Sequence, residues 1–281
     1  MPNRLQAERG VVNTAVCHRG RMADEVTIEE DGPLLFIGIN RPDAHNLWNL
    51  EVIQAVCRAC KRLADAQHLR VGVIFGHGRH FTAGLDLASI SPLIATGDVS
   101  ALFPEDGLDP WNFFGEPCPK PIVVAVHGAC NTLGIELALA SQLAVAAEGT
   151  RFAQLEVARG IFPLGGATFR QPARLGAAGM RYLLTAERFD ADAALRAGLV
   201  NEVVPEGQHL NRAIEIAQQI AANAPLAVQA ALASARAAER ASRDAAAQVL
   251  LEWNQTVLGS RDAAEGVSAF LERRTPEFEG R

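Results

Sequence analysis

The 281-residue chain has little of what marks several large classes of protein. Its 26 lysines and arginines are outnumbered by 32 acids, for a formal charge of −6, and the basic residues never gather into a block. There is therefore no electrostatic footprint for nucleic acid or an anionic membrane, and an anionic ligand must find local cationic contacts. Cysteine is scarce and odd in number: Cys17, Cys57, Cys60, Cys118 and Cys130 do not supply the paired CxxC motifs of a zinc site. With no secretory leader beside them, they point to a reducing cytoplasm. No GxGxxG opens a helix after a strand and no His-x-x-x-His is present, so nothing implies a nicotinamide, flavin or metal cofactor. Neither a fixed-period repeat nor a low-complexity linker occurs. The apolar run at residues 122–147 is interrupted by His127, Asn131, Thr132, Glu136, Ser141 and Gln142, which argues against a membrane span.

What is present is ample core material, 49% of the residues being apolar, and one conspicuous acid. Glu136 is the only charged side chain in residues 122–147, and a carboxylate in such surroundings must neutralise, pair or do chemistry. Twenty positions later Glu156, in RFAQLEVARGIFPLGG, again follows an apolar stretch and precedes a glycine-rich turn. Two carboxylates converging on one pocket can divide the roles of acid and base.

Periodicity lays out alternating strands and helices. Residues 1–23 show none and are set aside as an N-terminal extension, with Met22 a candidate natural start. EVTIEEDGPLLFIGINR reads as two strands around Asp31 and Gly32, NLEVIQAVCRACKRLADA as a helix, and RVGVIFGHG and IVVAVHG as buried strands. GIELALASQLAVA reads as one helix and TRFAQLE as a strand. The stretch from Ser91 to Pro121, with Pro92, Pro104, Pro110, Pro117 and Pro119, reads as an irregular loop with room for short helical turns, a lid over the substrate side. Helices dominate after Ala167, with Pro225 a boundary and a last helix through DAAEGVSAFLERR.

In this order RPDAHNLWN, FTAGLDL, AVHGACNTLGIELALA, FAQLEVARGIFPLGGAT, LTAERFDADAALRAGLVNEVVP and EGVSAFLERRTPEF resemble successive landmarks of the crotonase (enoyl-CoA hydratase/isomerase) superfamily. The resemblance spans residues 24–281. It implies an α/β fold: a spiral of ββα units over residues 24–205 that holds an acyl-CoA site. Residues 206–281 would be a helical region assembling trimers, commonly stacked as hexamers. It also implies that the backbone N–H groups of Leu85 and Leu133 form an oxyanion hole, and that Glu136 and Glu156 take the places of the hydratases' paired glutamates. In that scheme Glu136 holds and deprotonates a water for attack at C3, while Glu156 assists and delivers the proton to C2. Around the thioester the same landmarks put Asn46, Leu47, Ala83, Gly84, Asp86, Leu87 and Gly134. Phe270 and Arg273 of the last helix would meet coenzyme A.

Elementary chemistry is compatible with that site, because a thioester oxygen gathering enolate charge needs fixed donors, and amides at helix starts supply them. Gly84 and Gly134 also suit tight turns, and Asp86 suits a helix cap. Arg41, Arg79 and His80 are further candidates for the coenzyme A phosphates. Trp111, Phe113 and Phe114 are candidates for an acyl tunnel or for stapling the loop to the core. His127 and Cys130 flank the same turn without an evident orienting partner. The chain departs from the family in one place: Asn131-Thr132-Leu133-Gly134 stands where a glycine-rich turn is usual, which bears on substrate shape. Isomerisation, thioester hydrolysis and non-catalytic acyl-CoA binding stand as alternatives to hydration.

Overall fold

The computed structural model describes residues 24–94, 99–113, 115–237 and 257–279. The chain opens with a hairpin of β1 (Val26–Asp31) and β2 (Leu34–Ile39), turned through Gly32 at φ 54°. β3 (Val71–Gly76), β4 (Ile122–Val126), β6 (Leu143–Ala147) and β9 (Glu202–Val204) extend it in parallel, in the order β1-β2-β3-β4-β6-β9. A second sheet holds β5 (Ala129–Asn131), β7 (Arg151–Ala153) and β8 (Arg188–Asp190). The helices are α1 (Leu50–Asp65), α2 (Leu87–Ile94), α3 (Leu133–Ala140), α4 (Ala167–Thr185), α5 (Ala191–Ala197), α6 (His209–Ala221), α7 (residues 225–237 as far as described) and α8 (Arg261–Glu272).

Each turn of the chain places a strand in the large sheet, a short strand in the small one and then a helix: β4, β5, α3, followed by β6, β7, α4. Isolated bridges between Thr82 and Cys130 and between Trp48 and Leu85 carry the same pattern back to the earlier turns. This is the expected spiral of ββα units. Side-chain alternation keeps it together. Leu35, Ile37, Ile74, Val124 and Ala144 face a core shared with α1 and α3, whereas Phe36, Val73, Phe75, Val123 and Val145 face Ala213, Ile214 and Ala217 of α6.

α1 shows how its sequence encodes both ends. The Asn49 side chain accepts the Val52 N–H at 2.9 Å as N-cap, and Val52, Val56, Cys60 and Leu63 form a buried stripe. Cys57 and Cys60, a single CxxC spacing, are both buried. At the other end the buried Lys120 ammonium donates to the carbonyls of Leu63 (2.7 Å) and Ala66 (2.6 Å), where the helix dipole favours a cation.

The structure corrects several sequence expectations. GIELALASQLAVA is not one helix: α3 ends at Ala140, Ser141 turns extended (φ −79°, ψ 160°), and Leu143 begins β6. All eight α3 residues are buried, so the apolar run had no polar face to separate helix from strand. β7 is only three residues, leaving Gln154 and Glu156 in the turn beyond it, and β8 and β9 are equally short. The short helical turns expected in the proline-rich stretch are present, with Pro92 inside α2 and a 3-10 turn at Val99–Leu102. Pro225 opens α7, where a missing N–H is harmless. Lys120→Met should destabilise the fold by about 1–3 kcal/mol through the unsatisfied carbonyls it leaves, read as a lower midpoint in urea unfolding.

Candidate active site

Two turns lie side by side because the second sheet pairs them: Thr82 N–H donates to Ala129 O (2.9 Å) and Asn131 N–H to Thr82 O (3.1 Å). In the first turn Gly84, at φ 118°, donates to Thr82 Oγ1 (3.0 Å), and its carbonyl accepts Trp48 N–H (3.0 Å). Asp86 N–H is taken by Trp48 O (2.9 Å). Between them, Leu85 N–H has no acceptor among the described residues. In the second turn Leu133 is the first residue of α3, and its N–H is one of the orphan donors every helix start leaves. Both glycines are required by close approach. A Cβ on Gly84 would lie 2.5 Å from Thr132 Oγ1, and one on Gly134 would lie 2.6 Å from Thr82 Cγ2.

Thr132 answers the question posed by the unusual turn. It takes φ 51°, ψ −116°, a conformation that glycine adopts easily and a β-branched residue adopts only under strain. Leu133 itself remains helical, so the donor survives and the strain sits one residue earlier. Thr132 stands at the N-cap without capping, and its hydroxyl is buried without a hydrogen-bond partner among the described residues.

Glu136 lies one helical turn further on, 3% exposed, with Oε1 accepting Ala167 N–H at 3.0 Å. Glu156, 8% exposed, is reached through a relay: Gln171 Nε2 donates to Gln154 Oε1 (2.8 Å) and Gln154 Nε2 to Glu156 Oε1 (3.0 Å). Its Oε2 has no partner among the described residues. Burial pushes Glu136 up to about 7, against the opposing pull of the Ala167 and Gly165 N–H groups. Burial, and then the charge of Glu136, push Glu156 up to about 8. At neutral pH the pair therefore retains a proton, which places an acid beside a base.

Both acids, Leu85, Thr132 and Leu133 line one cleft of about 860 Å³, with Leu87, Trp111 and Phe113 among its walls. Phe114 lies outside the described residues. The walls are mainly apolar, suited to an acyl chain. Among the described residues no cluster of His, Cys, Asp or Glu is arranged to hold a metal, and no helix is long and apolar enough to cross a membrane.

Other expected residues are placed differently. Arg41 is engaged by Glu25 (3.0 Å), Asp86 (3.2 Å) and Leu47 O (2.6 Å), so its charge is spent on bracing the turn before α2. Asn46 is fully buried and clamps the same loop, donating to the carbonyls of His77 (2.8 Å) and His80 (2.6 Å). Ala83 N–H donates to His45 O. His80 Nδ1 accepts Ala129 N–H, and burial lowers its pKa, so it offers no cation at neutral pH. Arg79 sits in the turn after β3. Phe270 lies under the Arg159 guanidinium at 4.8 Å, and Arg273 ends α8 at φ 57°. His127 bonds Gly78 O and stacks on His209 at 4.5 Å, while burial pushes the Cys130 thiol up. Neither lines the cleft, and they form no nucleophile pair.

Among the features that escaped the sequence are Asp109 and Arg159 in the cleft wall and the Gln154–Gln171 relay behind Glu156. The one signal for the relay was Gln154, a lone amide in the apolar approach to Glu156.

An apolar cleft holding two buried acids beside main-chain donors that are unengaged among the described residues has the chemistry of an enzyme site for acyl groups. The chain matches the family described as enoyl-CoA hydratase/isomerase over residues 29–281. An enoyl-CoA hydratase of Mycobacterium tuberculosis is 32% identical over 92% of this chain and 97% of its own. A carnitinyl-CoA dehydratase of Salmonella paratyphi A is 35% identical over 92% and 100%. The crystal structure of a probable enoyl-CoA hydratase/isomerase from Mycobacterium abscessus superposes with a TM-score of 0.74 at 47% identity, over 92% of this chain and 99% of that one. The chain belongs to the enoyl-CoA hydratase/isomerase family and is an enzyme of hydro-lyase type.

Two outcomes follow from the buried groups. A carboxyl raised on folding binds protons that the unfolded chain, titrating near 4.3, has already lost. Stability thus falls as pH rises from that value through about 8. Glu136→Gln and Glu156→Gln should each be more stable than the parent at alkaline pH, read as a higher melting temperature, an advantage that shrinks to nothing at about pH 4. Thr132→Gly should raise stability by about 1 kcal/mol, the relieved strain exceeding the entropy that glycine adds to the unfolded chain. A lower melting temperature would contradict the strain.

Proposed function

We propose that this protein adds water reversibly across the C2–C3 double bond of a 2-enoyl-CoA thioester. The observation that carries the reading is the pair of buried acids facing the same apolar cleft as two main-chain N–H groups that have no acceptor among the described residues. The thioester oxygen sits between Leu85 N–H and Leu133 N–H, which take up the negative charge as the enolate forms. Glu136, one helical turn beyond the Leu133 donor, positions and deprotonates the water that attacks C3. Glu156 then protonates C2, burial having raised both carboxyls so that the pair keeps a proton to give. No metal or redox group takes part in this scheme, since proton transfers balance it: the hydroxyl goes to C3 and hydrogen to C2. Dehydration is the same path reversed, and a relative is named a carnitinyl-CoA dehydratase.

With Arg41 internally paired, coenzyme A contacts fall to Phe270 and Arg273 at the exposed end of α8 and to Arg79. Residues 206–281 serve assembly into a homotrimer or homohexamer. Exposed apolar side chains such as Leu226 and Leu271 there, and Leu184 on α4, support that reading. The four described cysteines are free and buried, in keeping with a cytoplasmic enzyme.

The purified protein should convert a short or medium 2-enoyl-CoA into a product heavier by one water. Glu136→Gln and Glu156→Gln, folded by circular dichroism, should each lose about a hundred- to ten-thousandfold in kcat. An isomer of unchanged mass, free coenzyme A as the product, or turnover indifferent to both substitutions would overturn the hydratase reading.

A further inference from the structure

We infer that Trp111 is a positioning residue for the thioester site, tying the loop before β4 to both donor turns at once. This rests on the acyl-CoA reading above and deepens it. The indole Nε1 of Trp111 donates to Leu133 O at 3.0 Å, a buried hydrogen bond to the first residue of α3, whose own N–H is unengaged among the described residues. The same indole packs against Trp48 with ring centroids 5.3 Å apart, and against Phe103 at 6.3 Å. Trp48 is fully buried, and its backbone forms the bridge that flanks Leu85, giving its N–H to Gly84 O and taking the Asp86 N–H. One tryptophan pair therefore spans the two turns: Trp48 grips the Leu85 turn through its main chain, and Trp111 grips Leu133 through its side chain.

Trp111 is itself held from behind. Asp109, 4% exposed, accepts Trp111 N–H at Oδ1 (2.8 Å) and Phe113 N–H at Oδ2 (2.7 Å), so a carboxylate fixes the backbone of the residues whose side chains wall the cleft. This gives the proline-rich loop a task beyond covering the substrate. An acyl chain lying along Trp111 presses on the side chain that sets the orientation of Leu133. Binding energy from the chain is in this way directed to the reacting carbonyl, where it raises kcat rather than affinity.

The experiment replaces Trp111 by 3-benzothienylalanine, which keeps the bicyclic shape and puts a sulfur in place of the donor N–H, with Trp111→Phe beside it. Two quantities are read: steady-state turnover of a 2-enoyl-CoA, and the infrared carbonyl stretch of a bound saturated acyl-CoA labelled with carbon-13 at C1. The saturated ligand has no double bond to hydrate, so its spectrum reports the donors whatever reaction the enzyme runs. The expected result is a fall of about tenfold in kcat, with KM within roughly twofold and the stretch displaced toward its value in water. A parental carbonyl stretch in the benzothienyl variant, or a loss confined to KM, would overturn the inference. Displacement of the stretch in an enzyme that adds no water would sustain the inference while removing hydration as the reaction. Failure of the parent protein to bind the saturated acyl-CoA would remove both.

Discussion

The site depends on the lateral pairing of Thr82 with Cys130. Without the hydrogen bonds from Thr82 N–H to Ala129 O and from Asn131 N–H to Thr82 O, nothing would bring the Gly84–Leu85 turn beside the start of α3, fifty residues along the chain. The pairing is possible because the large sheet has already set β3 and β4 next to each other in parallel, Val73 against Val123 and Phe75 against Ala125. The spiral then converts register in the sheet into the separation of two amides. Gly134 and Gly84 are consequences of that pairing, since any side chain on either would force the turns apart.

Around this frame the molecule tolerates several states that would otherwise relax. Two carboxyls are buried within one cleft and retain a proton to neutral pH, and Thr132 holds a positive-φ conformation with its hydroxyl unpartnered among the described residues. Each works against stability, and all three residues line the same cleft. The compensation is structural: α3 is buried on every side, and Trp111, Gln154, Gln171 and the Ala167 N–H hold the strained elements from different directions. Strain concentrated at a cleft and supported by a rigid surround is what preorganised catalysis requires.

How much of this could be read beforehand varied with the physics of each residue. Glu136 stood out because a single charge in an apolar run has few innocuous explanations, and the hairpin around Gly32 because turn chemistry and alternation agreed there. The break between α3 and β6 could not be read, since both are buried throughout and periodicity needs a polar face to register. β8 and β9, three residues each, are defined by partners far away in sequence. Arg41 was a candidate for phosphate because a sequence shows charge, but not the bracing partners Glu25 and Asp86. Asp109 was obscured for the opposite reason, as one acid among the prolines of an irregular loop whose backbone alone reveals its purpose.

The most direct test of the account is the position of a thioester oxygen in a crystal structure with a saturated acyl-CoA bound. The account predicts an oxygen within about 2.7–3.1 Å of both Leu85 N and Leu133 N, with the acyl C3 facing the carboxyl groups of Glu136 and Glu156. A thioester bound with its oxygen away from either amide, or an acyl chain turned away from the two acids, would contradict it.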